Sequence, residues 1–482
     1  MLTTAWDRIY VTTLFSFEFD RIERSIDFAI YVANGHRDRV FVGGIAASLM
    51  HERFLSVAKW RGVRFIKGLL GEAPAKSLQL DSFSEELYSD DFTGSAIEDL
   101  VPDYSILDQI DYKYPVSDAY FAYASRGCIR KCTFCGVPKL EGDQRDTESL
   151  TALVKSIDQL YGEKKDLTLM DNNVVASPTF RELIAEIRDL GFVPGAKLKR
   201  GRVPVQRRVD FNQGVDARIL CKSPMYLREL STISIKPLRI AFDHLGLKGP
   251  YEQAIRYARE FGLTELSNYM LYNFHDTPTD LYERMVLNVK LNEELGMRIW
   301  SFPMRYQPTD LPNRSHIGKN WSRYQLRSMQ LILQATHGIV SGEPDFFYRA
   351  FGANADEFRD MLLRPHHQIF NREWYEFGDG RADYREFRRA FAKLTESDRA
   401  ELVTLLSSCD PKDFKSLPKQ ATSSAVKKVL PLYIPISKEE EASIWAKRRA
   451  EVAAVSDEER VEDAGLEDDD QMAFPLAAGA RA

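Results

Sequence analysis

The sequence lacks the features of a membrane-spanning or disulfide-stabilised protein. Its 482 residues include only five cysteines, too few and too unevenly placed for a disulfide framework, which indicates a reducing compartment. The longest nearly apolar run, residues 40–50, is too short to cross a bilayer and contains glycines. The first residues carry neither the basic nor the apolar part of a signal peptide. We therefore expect a cytoplasmic protein that does not associate with membranes.

The sequence also has little net charge outside one segment. The formal net charge is −6, and residues 457–470 alone contain nine carboxylates and one arginine. The rest of the chain is therefore close to neutral, and overall charge does not indicate a nucleic-acid partner. The hydrophobic fraction of 44% and the charged fraction of 28% are those of a soluble globular protein. The chain length predicts about two to four domains.

Three of the five cysteines, Cys128, Cys132 and Cys135, lie on one segment with the spacing Cys-x3-Cys-x2-Cys. Thiolates select iron–sulfur clusters or zinc. A structural zinc site needs four protein ligands, and no further Cys or His lies within about twenty residues on either side. Three cysteines on one loop instead suit a [4Fe–4S] cluster whose fourth iron is open to a substrate or cofactor. A zinc loop with a distant fourth ligand and a reduced cysteine cluster remain as alternatives.

This segment resembles the signature of the radical S-adenosylmethionine (radical SAM) superfamily. Phe134 stands before the third cysteine, where that family has an aromatic residue, and Gly127 and Gly136 also match its pattern. The resemblance implies a [4Fe–4S] cluster on the three cysteines and S-adenosylmethionine (SAM) bound beside it, with Phe134 and Gly136 near the cofactors. It implies reductive cleavage of SAM to a 5′-deoxyadenosyl radical that abstracts hydrogen from a substrate. A flavodoxin or ferredoxin would supply the electron.

Residues 1–112 alternate between predicted strands (9–15, 39–44, 63–66) and helices (21–33, 46–57). The alternation predicts parallel strands in a small, doubly wound α/β domain, and residues 73–112 predict a linker. The domain resembles a shortened form of the cobalamin-binding domain that precedes one branch of the radical SAM superfamily. It has no Asp-x-His-x-x-Gly motif. We therefore do not expect it to bind cobalamin.

Residues 113–320 repeat the strand–helix alternation six times, with predicted strands at 120–123, 167–170, 209–215, 238–242, 268–272 and 298–302. Six such units predict a barrel-like parallel sheet, which matches the partial (β/α)6 barrel of the radical SAM family. Residues 321–437 predict a helical accessory domain. Residues 438–482 predict a charged, largely disordered tail.

Polar residues follow the predicted strands at their carboxyl ends, where parallel β/α folds place function. In chain order they are Asp171, Asn172, Asn173, Asp216, Arg218, Asp243 and Asn273. The resemblance implies that the first three hold the amino group of SAM and that the last two approach its ribose and adenine. An arginine at position 218 can pair with the carboxylate of SAM. Each of these residues could instead cap a helix.

The substrate is not identified by the sequence. We expect a small molecule or a peptide rather than nucleic acid. An RNA-modifying radical SAM enzyme is one alternative, because six basic residues lie between positions 195 and 208, although this run has no interleaved aromatics and is typical of a solvated loop. A non-catalytic iron–sulfur protein is the other alternative, and it would not need the polar residues at the strand ends.

Overall fold

A computed structural model describes residues 5–69, 100–114, 116–147 and 149–459. The chain is a mixed α/β protein in two compact units. The first unit comprises Met1–Leu271, Leu295–Ile299 and Met304–His316, and the second comprises Tyr272–Glu294, Trp300–Pro303 and Ile317–Ala482. Residues 70–99 lie outside the described residues, and they include most of the linker predicted at 73–112. The tail beyond residue 459 also lies outside them. No helix within the described ranges is long and apolar enough to span a membrane.

The first unit begins with a parallel sheet of three strands in the order β1-β2-β3. These strands are β1 (Ile9–Thr13), β2 (Val40–Gly44) and β3 (Arg64–Phe65). The helices between them are Phe19–Val32, Ile45–Leu49 and His51–Ser56. The predicted helix at 46–57 is thus two helices, because the backbone of Met50 leaves helical geometry. Among the described strands the order does not reverse, so the predicted doubly wound arrangement is not seen there.

This small sheet has its own core. Ile22, Ile26 and Ala29 recur at helical spacing and form the buried face of the first helix, which packs with Val40 and Trp60. The Nε1 of Trp60 also donates to the Asp27 carboxylate at 2.9 Å. This part of the first unit therefore has its own apolar interior.

The carboxyl ends of β1 and β2 approach closely at Gly44. Its φ is +99°, and a Cβ there would lie 2.4 Å from the carbonyl oxygen of Thr13. The Thr13 hydroxyl donates to Gly43 O at 2.8 Å and accepts from Ala47 N at 2.9 Å. Only glycine allows this junction between strand and helix.

The predicted β/α repeats follow in the first unit, and their last two strands continue into the second unit. The strands are β4 (Ala119–Ala122), β5 (Ser125–Arg126), β6 (Arg145–Asp146), β7 (Asp166–Leu169), β8 (Lys197–Leu198), β9 (Val205–Gln206), β10 (Val209–Phe211), β11 (Val215–Asp216), β12 (Leu238–Ala241), β13 (Glu265–Tyr272) and β14 (Arg298–Arg305). The helices among them are Val137–Leu140, Leu150–Tyr161, Phe180–Asp189, Ala217–Leu220, Met225–Leu230, Lys248–Glu260 and Pro278–Leu295.

The main strands form two sheets, with the orders β10-β7-β4 and β11-β12-β13-β14. β4, β7 and β10 are parallel, as are β11, β12 and β13. Neighbours in each sheet are successive strands of the repeat, but the described residues do not form a closed barrel. The predicted third strand is interrupted because the chain turns at Gly214, whose φ is +82°. The two sheets separate at this turn, between β10 and β11.

The second unit is largely helical after residue 320. Its helices are Arg323–Ala335, Pro344–Phe351, Ala355–Leu362, His366–Phe370, Arg372–Glu376, Arg381–Phe391, Glu396–Ser408, Ser424–Val429 and Lys438–Glu459. A core that includes Tyr324, Phe387, Leu402 and Val426 holds several of them together. The adjacent residues His366 and His367 lie on a short helix after Pro365.

Candidate active site

The three cysteines follow β4 on one loop of the first unit. The antiparallel pair β5–β6 closes the base of this loop, with Ser125 opposite Asp146 and Arg126 opposite Arg145. Inside it, Cys128 N donates to Gly142 O at 3.4 Å and Cys135 N donates to Cys132 O at 3.1 Å. The short helix Val137–Leu140, with a proline in its first turn, follows the last cysteine. The loop backbone is thus held by its own hydrogen bonds.

Gly127, directly before the first cysteine, is required by the backbone. Its φ is +73°, and a Cβ there would lie 2.2 Å from the carbonyl oxygen of Asp143. Its N–H donates to Glu141 Oε2 at 2.8 Å. A side chain at this position would force the start of the cysteine loop away from its closing strand.

The three thiols are free and half-buried. Burial raises the pKa of Cys132, and the charge of Asp243 raises it further. Burial also raises the pKa of Cys135, while the N–H of Val137 lowers it by donating to the sulfur at 3.4 Å. Arg130 N donates to Cys128 Sγ at 3.3 Å. Backbone hydrogen bonds to sulfur are among the features that tune iron–sulfur centres.

The donor type of this loop suits an iron–sulfur centre. Cys128, Cys132 and Cys135 place three thiols on one segment, and thiolates are the ligands of iron–sulfur clusters. Within the described ranges no three His, Cys, Asp or Glu side chains are grouped as a site for one metal ion. A [4Fe–4S] cluster on these three cysteines stays a prediction, as does the alternative of zinc.

Two arginines share the carboxylate of Asp216, which lies at the end of β11. Arg130, from the cysteine loop, donates its Nε to Oδ2 at 2.7 Å, and Arg218 donates its Nε to Oδ1 at 2.7 Å. Oδ1 also accepts the backbone N–H of Arg218 at 2.9 Å. Burial alone would raise the pKa of Asp216, but the arginines lower it below its usual value. Asp216 and Arg218, both predicted at this strand end, are therefore in contact with each other, and Arg130 is a third member of the group.

These charges lie within electrostatic reach of the cysteines. Burial has the largest effect on the pKa of Cys132. The next two effects are the charge of Asp243, which raises this pKa, and the charge of Arg218, which lowers it. Asp243 is half-buried at the end of β12, and Phe134 is half-buried on the loop. Gly136 begins the short helix after the loop. The structure thus brings the ends of β4, β11 and β12 together around the thiols.

The predicted SAM-binding turn after β7 supports the cysteine loop. Asp171 is 2% exposed, and its carboxylate accepts from Ala124 N at 2.9 Å and from the hydroxyl of Ser125 at 2.7 Å. Burial raises the pKa of Asp171 to about 6, against the effect of these hydrogen bonds. Asn172 Nδ2 donates to Glu141 Oε2 at 2.9 Å, and Asn173 Oδ1 accepts from the backbone N–H of Asp216 at 3.3 Å.

Asn273 lies in the second unit. It is fully buried with a φ of +67°, and its Oδ1 accepts from Gly318 N at 2.7 Å. A Cβ on Gly318 would lie 2.7 Å from the Asn273 carbonyl oxygen, so this turn is tightly packed. Its assignment to the adenine of SAM stays a prediction.

Sequence reasoning missed two residues of this site. Glu141 accepts hydrogen bonds from Gly127 N and from Asn172, and its Oε1 lies 3.5 Å from Arg126 Nη1. Arg130 lies between the first two cysteines and reaches Asp216. No sequence pattern predicts the role of Glu141. The role of Arg130 could have been predicted, because a positively charged residue lies inside the cysteine motif.

The basic run at 195–208 is partly paired within the fold. Arg200 forms an ion pair with Asp118. Arg207 lies 2.9 Å from Glu163 Oε1 and stacks over the Phe192 ring at 4.0 Å. These contacts give two of the six basic residues structural partners.

No protein-family model matches the chain, and no curated protein matches its sequence. Among solved structures it is similar to the radical SAM methyltransferase TsrM from Kitasatospora setae with cobalamin and a [4Fe–4S] cluster bound (14% identity, TM-score 0.39, 68% of this chain and 65% of that chain). It is also similar to the cobalamin-dependent SAM radical enzyme OxsB (13%, 0.39, 86% and 64%). A third is Streptococcus suis SuiB bound to SAM (14%, 0.30, 48% and 50%).

These neighbours include radical SAM enzymes, the superfamily that the cysteine motif resembles. The chain spans just under two thirds of the length of the TsrM structures. The activity is therefore inferred from the cysteine loop and its surroundings.

Proposed function

We propose that this chain is a radical SAM enzyme. The observation that carries the proposal is the loop after β4, on which three free cysteines lie beside the arginine-bearing ends of neighbouring strands. The chemistry that a [4Fe–4S] cluster supplies there is one-electron reduction of SAM to methionine and a 5′-deoxyadenosyl radical, which abstracts a hydrogen atom from the substrate. Cys128, Cys132 and Cys135 would hold the cluster.

The protein's own residues orient this centre. Asp171 and Glu141 accept the backbone N–H groups of residues 124, 125 and 127, so the segment before Cys128 has a defined position. Arg130 and Arg218 are fixed by opposite oxygens of Asp216. Fixed donors of this kind lower a barrier by positioning, because no reorganisation is needed when the ligand arrives.

Arg218 is the residue that we assign to the SAM carboxylate. Its side chain is 35% exposed, and its Nε is the one guanidinium nitrogen that hydrogen-bonds to a described residue. The remaining edge of the guanidinium can therefore bind a carboxylate. The turn formed by Asp171, Asn172 and Asn173 is assigned to the amino-group side of SAM, and Asp243 to its ribose. Within this turn the Asp171 carboxylate accepts from the backbone before the cysteines, so it orients the turn.

For the substrate we propose a small molecule or a peptide, with a flavodoxin or ferredoxin as the reductant. The partly paired basic run gives no support to an RNA substrate. An electron-carrier role is disfavoured by the arginine pair beside the thiols, which such a role does not require. The small N-terminal sheet has no cobalamin-binding histidine motif, so we propose activity without a corrinoid.

The proposal is tested by anaerobic purification and reconstitution, followed by incubation with SAM and dithionite. We expect close to four irons per chain and release of 5′-deoxyadenosine together with methionine, measured by liquid chromatography. Cys132→Ala should abolish both iron binding and SAM cleavage.

The matched control is Cys221→Ala, in the same unit, where the thiol contacts the carbonyl oxygen of Arg218 and not the other cysteines. It should retain the iron. Stoichiometric zinc without iron in anaerobically expressed protein would contradict the proposal. An iron-loaded protein that never cleaves SAM would instead support the electron-carrier alternative.

A further inference from the structure

A second polar cluster lies in the helical unit, away from the cysteine loop in sequence. Seventeen buried side-chain nitrogen and oxygen atoms have no hydrogen-bond partner among the described residues, and seven of them belong to residues 364–372. They are Arg364 Nε and Nη2, His366 Nε2, Gln368 Oε1, Asn371 Nδ2 and Oδ1, and Arg372 Nε. Buried polar groups are ordinarily hydrogen-bonded, so this concentration requires an explanation.

The side chains of this cluster are deeply buried. Asn371 is fully buried, Gln368 is 2% exposed and Arg364 is 3% exposed. Burial of an amide or guanidinium nitrogen without a partner has an unfavourable free energy of desolvation, which is larger when the group is charged. Both polar atoms of the Asn371 carboxamide, Nδ2 and Oδ1, are buried without a hydrogen-bond partner among the described residues. A bound polar molecule that met these atoms would recover that free energy.

The charges of the cluster leave one cation uncompensated. Arg364 is paired with Glu376, whose Oε1 lies 2.6 Å from its Nη1. Arg372 has no ion pair within the described chain and donates its Nη atoms to the carbonyl oxygens of Arg349 and Ala350 at 2.9 and 3.1 Å. Burial lowers the pKa of Arg372 to about 10, and the charge of Arg364 contributes to this shift. The two guanidinium groups are therefore neighbours around one carboxylate.

The neighbouring histidines do not change this balance. Burial lowers the pKa of His366 and of His367 to about 4, so both are neutral near pH 7. His366 stacks on Tyr324 at a ring distance of 4.1 Å. The cluster thus carries a net positive charge and an excess of unpaired donors, which is the chemistry of an anion site.

We propose that Arg364, Asn371 and Arg372 form a binding site for a small oxyanion, a phosphate or carboxylate group, in the helical unit. Its ligand would receive hydrogen bonds from the guanidinium and amide nitrogens that have no protein partner. This site is independent of SAM cleavage, so either proposal can fail without the other.

The test measures thermal unfolding of the full-length protein at pH 7 in chloride, inorganic phosphate or acetate at equal ionic strength. A ligand that binds only the folded state stabilises it. We expect phosphate to raise the melting temperature by about 2–4 °C relative to chloride. A rise in phosphate alone identifies a phosphate group, and a rise in acetate as well identifies a site that also accepts carboxylates.

Asn371→Asp is the decisive variant because it is isosteric and places a negative charge beside the arginines. It should melt higher than the wild type in chloride and lose the response to phosphate. Gln368→Glu provides the same test if Asn371→Asp does not fold. Arg389→Gln, an exposed change on the helix Arg381–Phe391, is the matched control and should keep the full response. No phosphate or acetate shift in the wild type, or an equal shift in all variants, would overturn the proposal.

Discussion

Replacing Arg218 by alanine separates ligand binding from metal binding at the cysteine loop. In the structure Arg218 shares Asp216 with Arg130, and each arginine uses a different carboxylate oxygen. After the substitution, Asp216 keeps Arg130 and the backbone N–H of residue 218. The carboxylate is therefore not left unpaired. Because the lost ion pair is partly exposed, we expect the cost in stability to be below about 1 kcal/mol.

The effect on SAM should be larger. A hydrogen bond between a guanidinium and a carboxylate contributes about 1.5–3 kcal/mol. Its loss corresponds to about 10- to 150-fold weaker binding. The iron content should not change, because the guanidinium group of Arg218 hydrogen-bonds to Asp216, which is not one of the three cysteines assigned to the cluster.

The assay is calorimetric titration of SAM into the reconstituted protein, with iron and sulfide determined on the same sample. Arg228→Ala, on the neighbouring helix Met225–Leu230 and exposed, is the control for a change of one positive charge. Our assignment is refuted if Arg218→Ala removes the iron, or if it leaves both SAM affinity and 5′-deoxyadenosine yield at the wild-type level.

Three further predictions concern the residues around the cysteine loop and a cysteine outside it. Gly127→Ala should lower iron content and melting temperature together, because the new Cβ would meet Asp143 O; unchanged iron analysis would contradict this. Because the pKa of Asp171 is raised by burial to about 6 from 3.8, its contribution to stability is present below pH 4 and is lost as the pH rises to about 6. In Asp171→Asn the destabilisation relative to the wild type should therefore shrink by up to about 3 kcal/mol over that interval, measured by denaturation at each pH. Cys409→Ala, in the other unit, should retain full iron content, and a loss of iron would place a ligand there.

The strands and the cysteine motif were predictable from the sequence because both depend on short-range patterns. Runs of β-branched and aromatic residues located all six strands of the repeat to within a few positions. The spacing of Cys128, Cys132 and Cys135 identified the loop that carries them. The break in the third strand was not predicted, because a glycine inside a strand pattern does not by itself show where two sheets separate.

The contacts among the polar residues were less predictable. Asp171 follows a strand at the position where a ligand contact was expected, yet its carboxylate is directed to the backbone of residues 124 and 125. Glu141 accepts hydrogen bonds from Gly127, which precedes it in the sequence, and from Asn172, which follows it. The sequence separations of these pairs match neither a helical nor a strand repeat. Such pairings depend on the mutual position of strand ends, which is set by tertiary packing and is not encoded in local spacing.

The arrangement around Asp216 assigns it a positioning role. Both carboxylate oxygens are used, one by Arg218 and one by Arg130, so the carboxylate fixes the direction of both guanidinium groups. Although burial opposes ionisation, the two guanidinium groups keep the pKa of Asp216 low, and the three residues together carry one positive charge near neutral pH. That charge lies within electrostatic reach of Cys132. Three thiolates bound to iron would concentrate negative charge, which this positive group would partly offset. The same carboxylate thus links Arg130 of the cysteine loop to the end of β11 and leaves the outer edge of Arg218 to meet an anionic ligand.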